Sequence, residues 1–488
     1  MKRLVVCLAV IVWVSGVACA DPSASYDLRD VGYDTSVKNQ TGGTCWAHGS
    51  MAAMESNLLR TGRWAQYVGE GLESDAKPNL NEYHLDWWNG FNWHNNDDTT
   101  PAQQNGNGLE PHQGGDYRVT TAYMARGDGA VSKDDEPGER DDQWYYTVPA
   151  RGAGNNPYRA RDVEWYTVGE GLANINTVKN VIVDHGAVGT CLFWGGGYYS
   201  GGTHYQPPSD GNDPNHSVTI IGWDDNQATQ APQDGAWLCK NSWGGGWNGD
   251  GHFWISYYDK HAGQHPEMGA VSFQNVELDQ YTEIYSHDYH GWRDTLTDVD
   301  TAFNAFTATS DDPLNSVGFY TAQDDVDFTI KVYDDFDQGG NGTLETELAS
   351  KSGTIGVTGY HTIDLDGLVD LALGDDFYIY LELSDGGQPI DRTSTVPVLL
   401  GAPAVTDNSI VSDALSGESY YLDGTDWADL HDLYLYGDDV QRVVTGSANF
   451  CIQGYSVVVP EPGTIMMLLG AALLGLGLRA LTVYRRRR

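Results

Sequence analysis

The pattern of apolar residues changes near Tyr281, and this change limits the chain to two architectures in series. Before Tyr281 the chain carries both helix-like and strand-like patterns, whereas after it the helix signals vanish. The later part alternates in polarity between turns rich in Asp, Gly and Asn, in runs such as Asn315–Tyr320, Phe328–Tyr333, Tyr360–Leu365 and Phe377–Leu381. Such a series predicts an all-β antiparallel sandwich. At 488 residues the chain can form two domains that each bury a core.

Cys45 stands at the start of a predicted helix. Residues of turn and N-cap type precede it in Gly42-Gly43-Thr44. The residues that follow at spacings of four, three and four mark one helix face: Ala47, Met51, Met54 and Leu58. A thiol in the first turn lies at the positive end of the helix dipole, where free N–H groups lower its pKa. The alternative is a buried structural cysteine.

Three polar residues match the needs of a thiol nucleophile. His216 comes just before the strand-like run Val218–Trp223, and Asn241 follows a second run, Ala236–Cys239. Two adjacent strands that present these residues at their ends would place the carboxamide on the imidazole. Together with Gln40, which precedes the thiol, they predict a base, the group that orients the base, and an oxyanion donor.

Residues 26 to 260 resemble the papain-like cysteine peptidases of bacteria. Four segments carry the likeness: Tyr26–Arg29, Val37–Gln40, Cys45–Ala47 and Trp237–Tyr257. The resemblance implies an α+β papain-like fold, in which a helical subdomain packs against a β-barrel subdomain. It also implies an exported endopeptidase that hydrolyses protein or peptide substrates, and it implies no cofactor and no metal.

The same resemblance assigns roles to the site residues. Cys45 is the nucleophile, His216 is the base and later the acid, and Asn241 orients His216. The Gln40 side chain and the backbone N–H of Cys45 form the oxyanion hole. Around the substrate-binding cleft, Gly114-Gly115 lies along the substrate backbone, and Trp243 shields the histidine–asparagine hydrogen bond from water.

Two features depart from the family pattern. Gln40 lies five residues before Cys45, where the family usually has six, so the oxyanion loop is one residue short. His48 stands where the family usually has an aromatic residue, and we expect it to pack on the helix flank rather than act as the base. The short loop leaves one alternative open, a catalytically impaired surface-display protein, or a protein that binds carbohydrate or protein, built on a peptidase scaffold.

Residues 280–457 resemble the lectin-like domain that follows the peptidase in many bacterial papain-like proteins. The likeness is carried by Val317–Tyr320, Gly359–Thr362 and Gly374–Phe377. It implies a glycan or matrix ligand, with a plain spacer or a substrate-docking module as the alternative. These patterns consist mainly of core and turn residues, so they indicate the fold better than they indicate a ligand.

The second half is strongly acidic. Between Tyr281 and Val457 there are five Lys or Arg residues and 32 Asp or Glu residues, within a chain whose net charge is −41. Such a surface repels nucleic acid and anionic membranes. Solubility in a saline exterior accounts for it, and calcium binding is the alternative. Asp335–Gly339 begins like a calcium loop but lacks the spaced ligands and the closing glutamate, so the sequence predicts no metal site.

Both ends of the chain carry targeting signals. Residues 1–20 contain the basic, apolar and small-residue regions of a secretory signal peptide. Its removal leaves Cys45, Cys191, Cys239 and Cys451, and the sequence does not show whether Cys191 pairs with Cys239. The predicted domains are the peptidase at 21–275 and the lectin-like sandwich at 280–457.

The C-terminal tail has three parts. Pro460-Glu461-Pro462 is followed by an apolar stretch and by Arg485–Arg488. This order resembles the PEP-CTERM sorting signal of Gram-negative bacteria and places it at 459–488, with a transmembrane segment at 463–484. The resemblance implies export to the cell surface, a transient membrane anchor and cleavage by an exosortase-type enzyme.

Overall fold

The α-helices of the described residues all lie in the first half of the chain, as the change of pattern near Tyr281 predicts. The computed structural model describes residues 21–98, 108–132, 143–152, 157–337, 342–395, 409–433 and 448–458. Its α-helices are α1 (Cys45–Arg60), α2 (Arg63–Glu70), α3 (Glu82–Trp88), α4 (Tyr117–Ala125), α5 (Gln143–Tyr146) and α6 (Ile175–His185). None of the helices in these ranges is long and apolar enough to cross a membrane. The predicted signal peptide at 1–20 and transmembrane segment at 463–484 lie outside the described residues.

The strands continue through both halves. Those of the first half are β1 (Ser25–Asp27), β2 (Tyr158–Arg159), β3 (Asp162–Tyr166), β4 (Val188–Leu192), β5 (Tyr199–Ser200), β6 (Thr203–His204), β7 (His216–Asp224), β8 (Ala236–Lys240), β9 (His252–Ser256), β10 (Ala270–Gln274) and β11 (Glu277–Leu278). Those of the second half are β12 (Tyr281–Tyr285), β13 (Asp294–Leu296), β14 (Thr301–Thr307), β15 (Leu314–Thr321), β16 (Val326–Asp337), β17 (Thr343–Ile355), β18 (Gly359–Val369), β19 (Asp376–Leu383), β20 (Gln388–Asp391), β21 (Ser394–Thr395), β22 (Ser409–Ile410), β23 (Ser419–Asp423), β24 (Asp426–Asp429), β25 (Asn449–Phe450) and β26 (Ile452–Val457). The four runs predicted from alternation fall within β15, β16, β18 and β19.

The second half is the predicted sandwich. One layer is the six-stranded sheet β17-β16-β19-β14-β23-β24, and the facing layer contains β12-β26-β15-β18. Alternate residues of both layers meet in one apolar core, which includes Val317, Phe319, Ile330, Val332, Ile379 and Leu381. This alternation is the physical reason why the sequence pattern revealed the strands.

One layer of the sandwich continues into the first half, which the sequence did not indicate. The order of the long sheet is β12-β26-β15-β18-β3-β10-β4-β7-β8-β9-β6-β5, and β1 pairs with β7. At the junction, Gly359 of β18 lies opposite Glu164 of β3. A Cβ atom on Gly359 would lie 2.2 Å from the Val163 carbonyl oxygen, so the close approach of the two strands requires glycine. Backbone hydrogen bonds therefore join the halves.

A buried arginine lies between the two halves. The Arg159 guanidinium stacks over the rings of Tyr455 and Tyr281, 4.1 and 4.7 Å from their centroids. It also donates to the Tyr360 hydroxyl at 3.2 Å and lies 3.5 Å from an Asp279 carboxylate oxygen. A buried cation is tolerated only when such partners replace its hydration. Arg159 thus couples β2 to the aromatic side chains of the second half.

Helix α1 lies at the centre of the first half. Every residue from Cys45 to Leu58 is buried, so the predicted apolar face is only one part of a helix enclosed on all sides. The helix approaches β7 at Gly49, where a Cβ atom would lie 2.6 Å from Ser217 Oγ and 2.9 Å from Tyr117 Oη. The absence of a side chain at Gly49 lets the start of α1 reach the start of β7.

The four cysteines of the described residues are all free and buried. Cys191 lies in β4 and Cys239 in β8, and these strands flank β7 on opposite sides. Two strand spacings amount to about 9–10 Å, which exceeds the reach of a disulfide. The pairing that the sequence left open is therefore not formed.

We expect the Arg159 contacts to make the two halves unfold together. Replacing Arg159 by Met should lower the free energy of unfolding by about 3 kcal/mol, because Asp279 and the tyrosine hydroxyls lose a buried charged partner. Because the halves share a sheet, the wild type should unfold in urea in one transition, as monitored by tryptophan fluorescence. Arg161→Met is the control: Arg161 also bonds across the junction, to the more exposed Asp364, and should cost less than about 1 kcal/mol. Equal losses would contradict this account.

Candidate active site

The thiol of Cys45 is placed by the first turn of α1. The helix begins at Cys45, and Thr44 occupies the predicted N-cap position without making a side-chain cap. Its hydroxyl instead donates to the Thr41 carbonyl oxygen at 3.0 Å. The backbone N–H groups at the helix start are therefore not taken by a capping side chain, and those of Cys45 and Trp46 lower the pKa of the thiol.

Burial dominates the ionisation of this thiol. It raises the pKa of Cys45 to about 11, although the backbone N–H groups of Ser217, Trp46 and Cys45 lower it. The helix start thus acts in the direction expected from the sequence, but desolvation outweighs it because Cys45 is only 1% exposed. A thiolate at this position needs a positively charged partner.

The two remaining polar residues meet at the ends of neighbouring strands. His216 is the first residue of β7, and Asn241 directly follows β8, which pairs with β7 in antiparallel fashion. His216 Nε2 lies 2.8 Å from Asn241 Oδ1. Because the amide oxygen can only accept, the imidazole carries its proton on Nε2 and leaves Nδ1 as an acceptor. The close approach of Gly49 to Ser217 brings the start of α1, and with it Cys45, to the same strand end.

His216 is shielded from solvent by aromatic rings. The Trp243 ring stacks on the imidazole with centroids 4.6 Å apart and planes 20° apart, and Trp194 meets the imidazole edge-on. Burial lowers the pKa of His216 to about 4, against the raising effect of the Asn241 hydrogen bond. The neutral imidazole is therefore the form that this site favours at neutral pH.

Gln40 is held by a residue that the sequence did not single out. Its Oε1 accepts from the Ser242 hydroxyl at 2.6 Å, and its backbone N–H donates to the Ser242 carbonyl oxygen at 2.7 Å. Its Nε2 donates one hydrogen to the Gly42 carbonyl oxygen at 2.9 Å. A side-chain amide has two N–H donors, so one remains for another acceptor. Ser242, next to Asn241, links the predicted oxyanion loop to the His216–Asn241 pair.

The shortened loop before Cys45 is supported by contacts with His112 and Tyr145. The Gly43 N–H donates to the His112 carbonyl oxygen at 2.7 Å. Gly42 has a φ of +69°, and a Cβ atom there would lie 2.9 Å from the Tyr145 ring. Tyr145 stacks on the His112 ring at 4.0 Å, and His112 bonds to the buried Asp86. Sequence reasoning missed these three side chains because they lie 41 to 100 residues from Cys45 and belong to no motif.

His48 does not take the position of the base. Its Nδ1–H donates to the Thr44 carbonyl oxygen at 2.9 Å, one turn earlier on α1. Its ring packs edge-on against Tyr83, with centroids 5.9 Å apart. This is the helix-flank position that we expect from the sequence.

The glycine pair has a structural explanation of its own. Gly114 has a φ of +110°, in the left-handed region that favours glycine, and a Cβ atom on Gly115 would lie 2.5 Å from the Trp46 ring. Both glycines are buried. The packing of Trp46 therefore requires Gly115 whether or not a substrate lies nearby.

Three family profiles match the chain. They are the papain family cysteine protease over residues 106–271, the lectin like domain over 284–456 and the PEP-CTERM protein-sorting motif over 458–488. The first range contains His216 and Asn241, whereas Gln40 and Cys45 precede it. The geometry at Ser217 is what connects Cys45 to the matched region.

Curated relatives and solved structures agree with these profiles. Mouse cathepsin K is 25% identical over 235 residues, which cover 47% of this chain and 58% of the relative, and rat procathepsin L is 26% identical over 241 residues, which cover 47% and 59%. This chain thus spans less than two thirds of their length. Two structures of Cwp84, a surface layer associated cysteine protease of Clostridium difficile, cover 89% of this chain with TM-scores of 0.66 and 0.65 at 22% identity. The matched regions cover 100% and 89% of the two Cwp84 chains, and this likeness establishes the two-part fold.

The partner of the Cys45 thiol can be identified from the pH dependence of its alkylation. In the wild type His216 can accept the thiol proton, so iodoacetamide should react with Cys45 near neutral pH. In His216→Ala the thiol loses this proton acceptor, and burial still favours its neutral form. The reaction should then be slow at pH 7, and its rate should rise about tenfold per pH unit while the thiol is mostly protonated.

His48→Phe is the matched control for this titration, because it removes the other histidine near Cys45 and should leave the profile unchanged. Loss of the neutral-pH reaction in His48→Phe, with its retention in His216→Ala, would show that His48 is the base.

Proposed function

We propose that this chain, which joins a papain family cysteine protease domain to a lectin-like domain and a PEP-CTERM motif, is an exported cysteine endopeptidase. The observation that carries the proposal is the 2.8 Å contact between His216 Nε2 and Asn241 Oδ1, at the strand end where Gly49 of α1 packs on Ser217. The domains are the peptidase at 21–275 and the lectin-like sandwich at 280–457. The profile over 106–271 and the fold shared with Cwp84 support this division.

The reaction begins with a proton transfer. The Cys45 thiol gives its proton to His216 Nδ1, and the thiolate attacks the peptide carbonyl carbon. Burial opposes each charge alone, but the two charges form together and attract each other. This attraction offsets part of the cost of burying the two charges. Asn241 Oδ1 accepts from the Nε2–H and stabilises the imidazolium while Trp243 excludes water from the bond.

Neighbouring groups then stabilise the oxyanion and protonate the leaving group. The backbone N–H of Cys45 and the free N–H of Gln40 donate to the oxygen of the tetrahedral intermediate. The His216 imidazolium protonates the leaving amine, which leaves an acyl group on Cys45 Sγ. His216 next takes a proton from water, the hydroxide attacks the acyl carbonyl, and the thiol is regenerated.

The short oxyanion loop is the basis of the alternative function, a surface-display or binding protein without activity. The contacts of His112 with Gly43 and of Tyr145 with Gly42 favour the active enzyme, because they support an oxyanion loop that is one residue short. The second hydrogen bond of Gln40, to Ser242, has the same effect.

Substrates and location follow from the accessory segments. Protein or peptide chains are the proposed substrates, with Gly114-Gly115 along the substrate backbone and Trp243 at the edge of the cleft. The lectin-like domain would bind a glycan or matrix ligand and hold the enzyme near its substrate. The PEP-CTERM motif supports export in a Gram-negative-type bacterium, transient anchoring by residues 463–484 and cleavage by an exosortase-type enzyme.

Hydrolysis of a denatured protein such as casein tests the catalytic proposal. Cys45→Ala should fold normally and lose at least about 10³-fold in kcat/KM, because the nucleophile is gone. Asn241→Ala should lose on the order of 10²-fold, because an unoriented base still works in part. Cys451→Ala is the matched control, since it removes another buried cysteine in the second half, and it should retain activity. Full activity in Cys45→Ala would exclude the mechanism.

The processing proposal is tested in the native host. The surface form should end near Pro460-Glu461-Pro462 and lack Arg485–Arg488, which mass spectrometry of the C-terminal peptide would show. Replacing Pro460 and Pro462 by Ala should leave the tail attached, because the processing enzyme would no longer recognise it. An intact tail on the wild-type surface protein would instead indicate a permanent anchor.

A further inference from the structure

Three potential metal ligands that no role above uses meet where the two halves join. Asp98 belongs to the segment that follows α3, His290 follows β12, and Asp391 ends β20. His290 and Asp391 are buried and Asp98 is half-buried, and their ligand atoms all lie within 4.8 Å of one another. The His290 ring also reaches the Gly90 carbonyl oxygen of the first half, with Nε2 3.0 Å away. The cluster therefore contains side chains from both halves.

The side-chain hydrogen bonds of the cluster leave it short of protons, although the backbone N–H of Asp413 donates to Asp98 Oδ2 at 3.0 Å and that of His290 donates to Asp391 Oδ2 at 2.9 Å. The Gly90 carbonyl can only accept, so Nε2 of His290 carries a proton, and in the neutral imidazole Nδ1 presents a lone pair. The Nδ1 atom lies 3.8 Å from Asp98 Oδ2 and 3.6 Å from Asp391 Oδ1. The Ser412 hydroxyl lies 2.8 Å from both Nδ1 and Asp391 Oδ1, and its single proton can serve only one of them.

The surrounding charges do not remove this deficit. Arg293, which is half-buried, interacts with both Asp391 and Asp116. Lone pairs and carboxylates so arranged repel each other unless a cation or an extra proton lies between them.

We propose that Asp98 Oδ2, His290 Nδ1 and Asp391 Oδ1 bind one divalent transition-metal ion, of the zinc class, that fastens the two halves together. In a tetrahedral zinc site with bonds of about 2.0–2.1 Å the ligand atoms are about 3.3 Å apart. The two separations from His290 Nδ1, 3.6 and 3.8 Å, are close to this value, and the carboxylate oxygens lie within 4.8 Å of each other. An imidazole nitrogen among the ligands favours zinc over calcium or magnesium.

The site is accessible to an ion from one side. Asp98 borders a cleft of about 380 Å³ between the halves, lined also by Arg126, His287, Tyr289 and Glu418. The Asp98 side chain is 17% exposed, so a metal ion and a water as fourth ligand can reach it. The site is distinct from the calcium alternative of the sequence, because Asp335 and Asp337 lie in the extended strand β16.

Zinc binding to the full-length protein tests the proposal, in a Cys45→Ala background so that the catalytic thiol does not compete for the ion. After dialysis against a chelator, one equivalent of Zn²⁺ should bind in calorimetry and raise the melting temperature by several degrees. Asp98→Asn and His290→Gln should each weaken this binding at least about 100-fold. Asp97→Asn is the matched control, since it removes the adjacent carboxylate, which bonds to Arg151 instead, and should bind Zn²⁺ like the parent.

Folding of the variants is checked in chelator. Asp98→Asn should melt at or above the temperature of the parent, because it relieves the repulsion between Asp98 and Asp391. Three outcomes would overturn the proposal. They are absence of stoichiometric Zn²⁺ binding by the parent, unchanged binding in Asp98→Asn and His290→Gln, and binding of Ca²⁺ in preference to Zn²⁺. If the parent does not bind Zn²⁺ and Asp98→Asn has a raised melting temperature, the cluster holds a shared proton instead of a metal ion.

Discussion

The close packing of helix α1 on strand β7 is the constraint from which the site follows. The helix is enclosed on all sides, and Gly49 lets it approach Ser217 more closely than any side chain would permit. This contact brings the first turn of α1, and with it Cys45, to the residue next to His216. Because β8 pairs with β7, Asn241 is delivered to the far side of the same imidazole.

Burial gives this arrangement its chemistry and also its cost. It raises the pKa of the thiol and lowers the pKa of the imidazole, so the resting site favours neutral groups. The groups that compensate are local: N–H donors of an uncapped helix start, the Asn241 amide and the Trp243 ring. Gln40 joins this set through Ser242, so the oxyanion donor and the base are held by consecutive residues after β8.

The sequence predicted those parts of the structure that depend on local patterns. The helix after Thr44 and the strands β15, β16, β18 and β19 follow from the spacing of apolar residues, and Gln40, Cys45, His216 and Asn241 were selected by chemistry and order along the chain. The continuation of the sheet through β18 and β3 could not be predicted, because strand pairing between Gly359 and Glu164 leaves no periodic signal. The support from Asp86, His112 and Tyr145, and the cluster at His290, likewise depend on contacts between distant segments.

The central claim is that Cys45 is the one thiol activated by His216 for attack on a carbonyl. An epoxysuccinyl inhibitor, which reacts with an activated thiol, followed by peptide mapping, tests it most directly. The account predicts one adduct per chain, located on Cys45, with complete loss of proteolysis, and no adduct in His216→Ala at neutral pH. An adduct on Cys191, Cys239 or Cys451, or labelling of Cys45 that does not depend on His216, would contradict it.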